Sequence, residues 1–135
     1  MTLQLSTAVR NAALDSFETT ISTSPILKIK TGAPPATCAT ADSGTVLATL
    51  SLPSDFMAAA SGGVKAKSGT WEDASADATG TAGHFRLYAT DGTTCHAQGT
   101  ITVTGGGGDM TVNNVSIAST QPFTITGFSL TCGNA

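Results

Sequence analysis

Two histidines, His84 and His96, stand either side of a turn that also carries Asp91 and Cys95, and these four side chains are of the types that ligate metals. Zinc needs three or four donors converging at about 2.0–2.3 Å. Adjacent strand residues such as Cys95 and His96 point to opposite faces, so the set does not converge. Two polar surface histidines and no metal are expected. Nucleophilic catalysis has no better support, because no G-x-S-x-G elbow occurs and the many serines follow from composition. The carboxylates Asp73, Asp77 and Asp91 lie in or beside turn sequences, where aspartate initiates the turn rather than pairing for glycoside hydrolysis. The run Gly105 to Asp109 lacks the Lys-Ser/Thr of a phosphate loop and precedes no helix, so a hairpin tip is expected there. No catalytic residue and no cofactor are assigned, and a non-enzymatic protein is expected.

Trp71, the single tryptophan, lies between polar stretches in KSGTWED. It either anchors an interface or closes one end of the core. Cys38, Cys95 and Cys132 are too few for a disulfide scaffold and have no C-x-x-C spacing. They are either buried apolar-like thiols or include one pair that oxidises after release from the cell, leaving one thiol over.

The elements that must position these residues are mostly strands. Ser6 is placed to cap a helix over about residues 7 to 21, with Val9, Ala13, Phe17 and Ile21 recurring every four residues and Arg10, Asp15 and Glu18 largely off that stripe. Beyond Pro25 the period becomes two. Ile26 to Lys30 alternates, Ala33-Pro34-Pro35 imposes an extended loop, and Val46, Ala48, Leu50 and Leu52 share one strand face. Residues 53 to 60 read as a short helical turn or a strand, Val64 to Lys67 as extended, and 72 to 83 as a loop or weak strand connection.

A hairpin from Gly83 to Gly108 carries Phe85 and Leu87 on one arm and Cys95, Ala97, Ile101 and Val103 on the other. A three-residue loop over Thr90 to Gly92 would pair Leu87 with Cys95 and Phe85 with Ala97, pointing Cys95 into the core and His96 outward. Met110 to Val112, Val115 to Ile117 and Pro122 to Cys132 follow, the last switching face near Gly127. About eight short strands of this kind predict an antiparallel β-sandwich or jelly roll. The chain thus reads as one domain over 1–135, with 1–24 as an N-terminal helix or arm that covers a sheet edge or docks on a neighbour.

Composition narrows the function classes. The 135 residues suit one core of about 100–150 residues. Charged residues make up 11%, against about 25% in an average domain. A net charge of -3 with six dispersed Lys and Arg offers no stripe for phosphates, so no nucleic-acid partner is expected. No apolar run reaches the roughly 18–20 residues that span a bilayer, and the N-terminus lacks a secretory signal pattern, so synthesis in the cytoplasm without a membrane partner is expected.

The segments LPSDFMAAASGGVKAKSGTW (Leu52 to Trp71) and GTAGHFRLYATDGTTCHAQGTITVTGGGGDMTVNN (Gly80 to Asn114), with the opening MTLQLSTAVRNAALD, resemble small virion proteins encoded by tailed bacteriophages. The likeness spans nearly the whole chain. It implies a structural role in the particle, made in the host bacterial cytoplasm, and brings no catalytic or ligand residue with it. Within a virion, a small β domain without a shaft repeat suits a head decoration or cement protein that clamps capsomer junctions, where many weakly bound copies add stability. The partners are then the major capsid protein and copies of the chain itself, as dimers or trimers. Leu3, Leu5, Val9, Phe17, Ile21 and Trp71 are the expected partner-facing residues. The alternative is a tail, collar or fibre-associated protein that presents Asp91-Gly92 and Gly105 to Asp109 to a host.

Overall fold

The computed structural model describes residues 2–134. One helix, α1 (Thr7–Ile21), precedes ten short strands: β1 (Ile26–Thr31), β2 (Val46–Ser51), β3 (Val64–Ala66), β4 (Glu72–Asp73), β5 (Gly80–Tyr88), β6 (Cys95–Val103), β7 (Met110–Val112), β8 (Ser116–Ile117), β9 (Phe123–Thr124) and β10 (Gly127–Thr131). The fold is mainly β and consistent with a β-sandwich. The main sheet runs β2-β1-β5-β6-β7-β10-β3, with β8 paired to the start of β5, while β4 and β9 form a separate ribbon. Pairing is antiparallel except between β6 and β7.

The sheet curls so that strands far apart in its order face each other. Phe85 of β5 meets Phe128 of β10 edge to face at 5.8 Å, and Trp71 packs between Phe128 and Phe56 with ring centroids 5.6 and 6.3 Å away. Trp71 has 0% exposure, and its indole N–H donates to the Ser68 carbonyl, so its polar atom is satisfied inside the core. Residues 53–60 form neither helix nor strand. Phe56 and Met57 are both buried there, and Met57 only bridges Lys67.

Alternation is interrupted where bulges occur. Between β1 and β2 the register steps from Ile29↔Ala48 to Lys30↔Val46, so Leu47 is the extra residue and joins Ala48, Leu50 and Leu52 in the core. The β5–β6 hairpin does the same with His96. Tyr88 pairs with Cys95, but Leu87 pairs with Ala97 and Phe85 with Gly99. The expected Leu87–Cys95 pairing is therefore corrected, and Cys95 does not point into the core. The turn is longer than expected because Asp91 accepts from the Thr93 and Thr94 N–H groups at 2.8 and 2.9 Å and from the Thr94 hydroxyl at 2.6 Å. Those bonds, the hydroxyl's first, hold the Asp91 carboxyl well below the usual carboxylate range.

The glycine run is not a hairpin tip. It turns the chain back so that Met110 lies beside Ile101 in the same direction. So short a return between parallel strands folds the loop onto its own origin, where the Gly108 N–H donates to Thr102 Oγ1 at 3.0 Å. A Cβ on Gly106 or Gly108 would come within 2.8 Å of the Thr102 side chain. Gly108→Ala is accordingly expected to cost about 1–3 kcal/mol by overpacking. Gly133→Ala, with nothing within 4 Å of the added carbon, should be neutral; urea unfolding of both variants is the check.

Candidate functional site

Period-two geometry gives β1 and β5 two faces. Leu27, Ile29, Phe85 and Leu87 enter the core, which sends Lys28, Lys30, His84, Arg86 and Tyr88 to the opposite side. That side is not left to solvent, for Lys30, His84, Arg86 and Tyr88 are all buried. The cover is the β1–β2 connection, residues 32–45, which folds back as a strap. His84 Nδ1 donates to the Gly32 carbonyl at 2.9 Å, Arg86 Nη2 to the Cys38 carbonyl at 2.7 Å, and the Gln98 amide to the Pro35 carbonyl. A disulfide between Cys38 of the strap and Cys95 of β6 fastens it covalently.

Asp42 is the strap's electrostatic anchor. Lys30 Nζ donates to Oδ2 at 2.6 Å, the Tyr88 hydroxyl lies 2.7 Å from both oxygens, and Arg86 Nη1 pairs with Oδ1. Two buried cations from rigid strands thus converge on one carboxylate of a loop. Partial burial of Asp42 raises its pKa, but the bonds from Lys30 and Tyr88 and the charges of Lys30 and Arg86 outweigh it and hold the group down at about 2. Burial, and then the Asp42 carboxylate, push the Tyr88 phenol upward.

A second ionic site docks the helix. Lys65 of β3, its side chain 2% exposed, pairs with Asp15 at 2.8 Å and Glu18 at 2.9 Å and donates to the Ala58 carbonyl. Burial lowers the Lys65 pKa, yet the two carboxylates prevail and raise it; the Lys65 bond, reinforced by the Ala60 N–H, lowers that of Asp15. The helix also accepts backbone N–H groups of the segment flanking β3, Gly63 to Asn11 at 2.9 Å and Ala60 to Asp15 at 3.0 Å. The stripe expected from Val9 and Ala13 is therefore corrected. Both are exposed, while Leu14 and Ile21 are buried with Arg10, Asn11, Asp15 and Glu18 on the docked side.

The expected partner-facing residues separate into two groups. Leu3 and Val9 are 76% and 52% exposed. Leu5 is half-buried, and the Asn134 amide bonds both its N–H and its carbonyl. Phe17 is half-buried and packs against the core, while Ile21 and Trp71 belong to it, which leaves those two no surface to offer a partner. His84, expected at the surface, is buried under the strap; His96 is half-buried at the bulge. Asp73 and Asp77 bond the Thr49 N–H and hydroxyl on the outer edge of β2. Among the described residues no group of three or more His, Cys, Asp and Glu could hold a metal ion, and no helix is long and apolar enough to cross a membrane.

No family model, curated protein or solved structure matches this chain.

The strap layer escaped sequence reading because Lys28/Lys30 and His84/Arg86 alternate as any solvated strand face does. The available signal was a cysteine in the proline-containing loop and another on a strand.

Closing the 57-residue separation between Cys38 and Cys95 should stabilise the fold by about 4 kcal/mol through the unfolded chain. Asp42→Asn leaves Lys30 and Arg86 without their countercharge and, because the Asp42 carboxylate is itself 42% exposed and open to water, is expected to cost about 1–3 kcal/mol. A depressed carboxylate contributes stability that is present above its ordinary value of 3.8 and is lost as pH falls through about 2. The urea midpoint of the native chain should fall more steeply than that of Asp42→Asn across that acid interval. At the helix, Asp15→Asn with Glu18→Gln strands the buried cation and should destabilise more than Lys65→Met, which removes it; the two unfolding curves measure the difference.

Proposed function

We propose that this chain is a structural protein of a tailed-bacteriophage virion, a head decoration protein that clamps capsomer junctions. The observation that carries the reading is the exposed apolar pair Leu3 and Val9 at the start of a segment otherwise tied to the body. Strand addition is a poor route to a partner for this domain, because side chains and loop amides occupy the backbone groups along the outer edge of β2 and beside β3. The N-terminal apolar surface is the better route, and repeated over many copies a contact of that size becomes a durable clamp.

The Cys38–Cys95 bond is in keeping with a protein that works outside the reducing cytoplasm. The tailed-phage origin is proposed from the sequence resemblance carried by Leu52 to Trp71, Gly80 to Asn114 and the opening segment. No cofactor enters this reading, and the chain acts by binding rather than by catalysis.

Quantitative mass spectrometry of the purified particle measures the copy number relative to the major capsid protein. A ratio near one, or a simple fraction of it, is expected. A handful of copies would replace the decoration role with a tail, collar or fibre-associated one, and absence from the particle would remove the virion assignment. Leu3→Asp with Val9→Asp should abolish head binding while leaving the thermal midpoint unchanged, since neither side chain is buried.

A further inference from the structure

We propose that Asp42 seats the strap on the sheet while the cysteines are still reduced, so that the ionic layer templates the Cys38–Cys95 disulfide, which then makes the cover permanent in oxidising surroundings. The strap has many fastenings that involve no sulfur. Lys30, Arg86 and Tyr88 hold the Asp42 carboxylate, Arg86 holds the carbonyl of Cys38 itself, and Gln98 holds that of Pro35. The guanidinium that positions Cys38 belongs to β5, the strand paired with the one that carries Cys95. Tyr88, whose hydroxyl bonds Asp42, is the residue directly opposite Cys95. Charge receptor and thiol therefore share one place in the sheet, and seating the first delivers Cys38 to the second with the Cα atoms 5.3 Å apart, inside the roughly 4.4–6.8 Å that a disulfide spans.

Cys132 is held elsewhere. Its N–H bonds the Gly63 carbonyl and its own carbonyl accepts from Arg10, at the helix side of the molecule. It is left as the free thiol. Templating thus selects one of the three pairings that Cys38, Cys95 and Cys132 allow.

With a low-molecular-weight disulfide as oxidant the step balances. One cysteine thiolate attacks it and releases a first small thiol, and the second cysteine displaces the other from the mixed disulfide. Two protein thiols and one small disulfide become one protein disulfide and two small thiols.

The test follows the fully reduced native chain, Asp42→Asn and the milder Tyr88→Phe through oxidation by oxidised glutathione at neutral pH, with alkylation quenching and mass mapping of the pairs. Hydrogen–deuterium exchange of residues 33–44 is recorded on the reduced native chain first. Protection of the strap before oxidation is expected, then formation of Cys38–Cys95 alone. Loss of the seating contact lowers the effective concentration of the two thiols, so Asp42→Asn should oxidise about tenfold or more slowly and yield pairs that include Cys132. Tyr88→Phe should fall between, and it decides the matter if reduced Asp42→Asn is unfolded by circular dichroism. An unprotected strap in the reduced native chain would overturn the proposal, as would oxidation of Tyr88→Phe and a folded Asp42→Asn at the native rate with native pairing.

Discussion

The carboxylate of Asp42 is the contact on which the second face of this sheet depends. Strand alternation compels Lys30, His84, Arg86 and Tyr88 to leave the core on the side away from Leu27 and Phe85. A cation can be buried there only with a countercharge and hydrogen bonds, and the strap supplies both to Lys30 and Arg86 through Asp42 and the carbonyl of Cys38. Remove that carboxylate and the layer keeps two buried positive charges without a countercharge, under a loop held only by its carbonyl contacts and the disulfide. The disulfide acts on the same loop through a different term, since it restricts the unfolded chain.

The same logic governs the sheet margins. An open edge presents unpaired N–H and C=O groups to any passing strand. At β2 the Thr49 N–H is taken by Asp73, while the Leu47 carbonyl accepts from Asp77 and Ala78. At the other margin, Asn11 and Asp15 of the helix accept N–H groups from the segment beside β3, with Lys65 neutralising Asp15 and Glu18. Few charged residues are present, and many of them close the fold rather than decorate its surface. A domain finished in this way leaves side chains rather than free edge backbone at its surface, Leu3 and Val9 among the exposed apolar ones.

Local signals in the chain were reliable where one residue type dictates the outcome. Ser6 caps the helix through the Val9 N–H, and the helix spans Thr7–Ile21 as its pattern predicts. The face switch near Gly127 separates β9 from β10. Periodicity failed where a single extra residue resets it. Leu47 and His96 each bulge, and each bulge keeps an apolar set together that simple pairing would have split. The helix stripe was misjudged for a related reason: Val9 and Ala13 form a regular apolar line, but the docking side is chosen by Lys65, which needs Asp15 and Glu18.

Composition and spacing alone determined the mainly β architecture, the extent of the helix and the lack of a local motif for metal or nucleophile chemistry, because each rests on interactions within a few residues. Tertiary structure decided the rest. Which face of a strand is solvated, which cysteines meet and whether a glycine run makes a hairpin or a parallel return depend on residues far apart in the chain. Asp42 is twelve residues from Lys30 and more than forty from Arg86 and Tyr88. Charge pairing across such distances leaves no periodic trace in a sequence, since it is fixed only when the sheet brings its partners to one place.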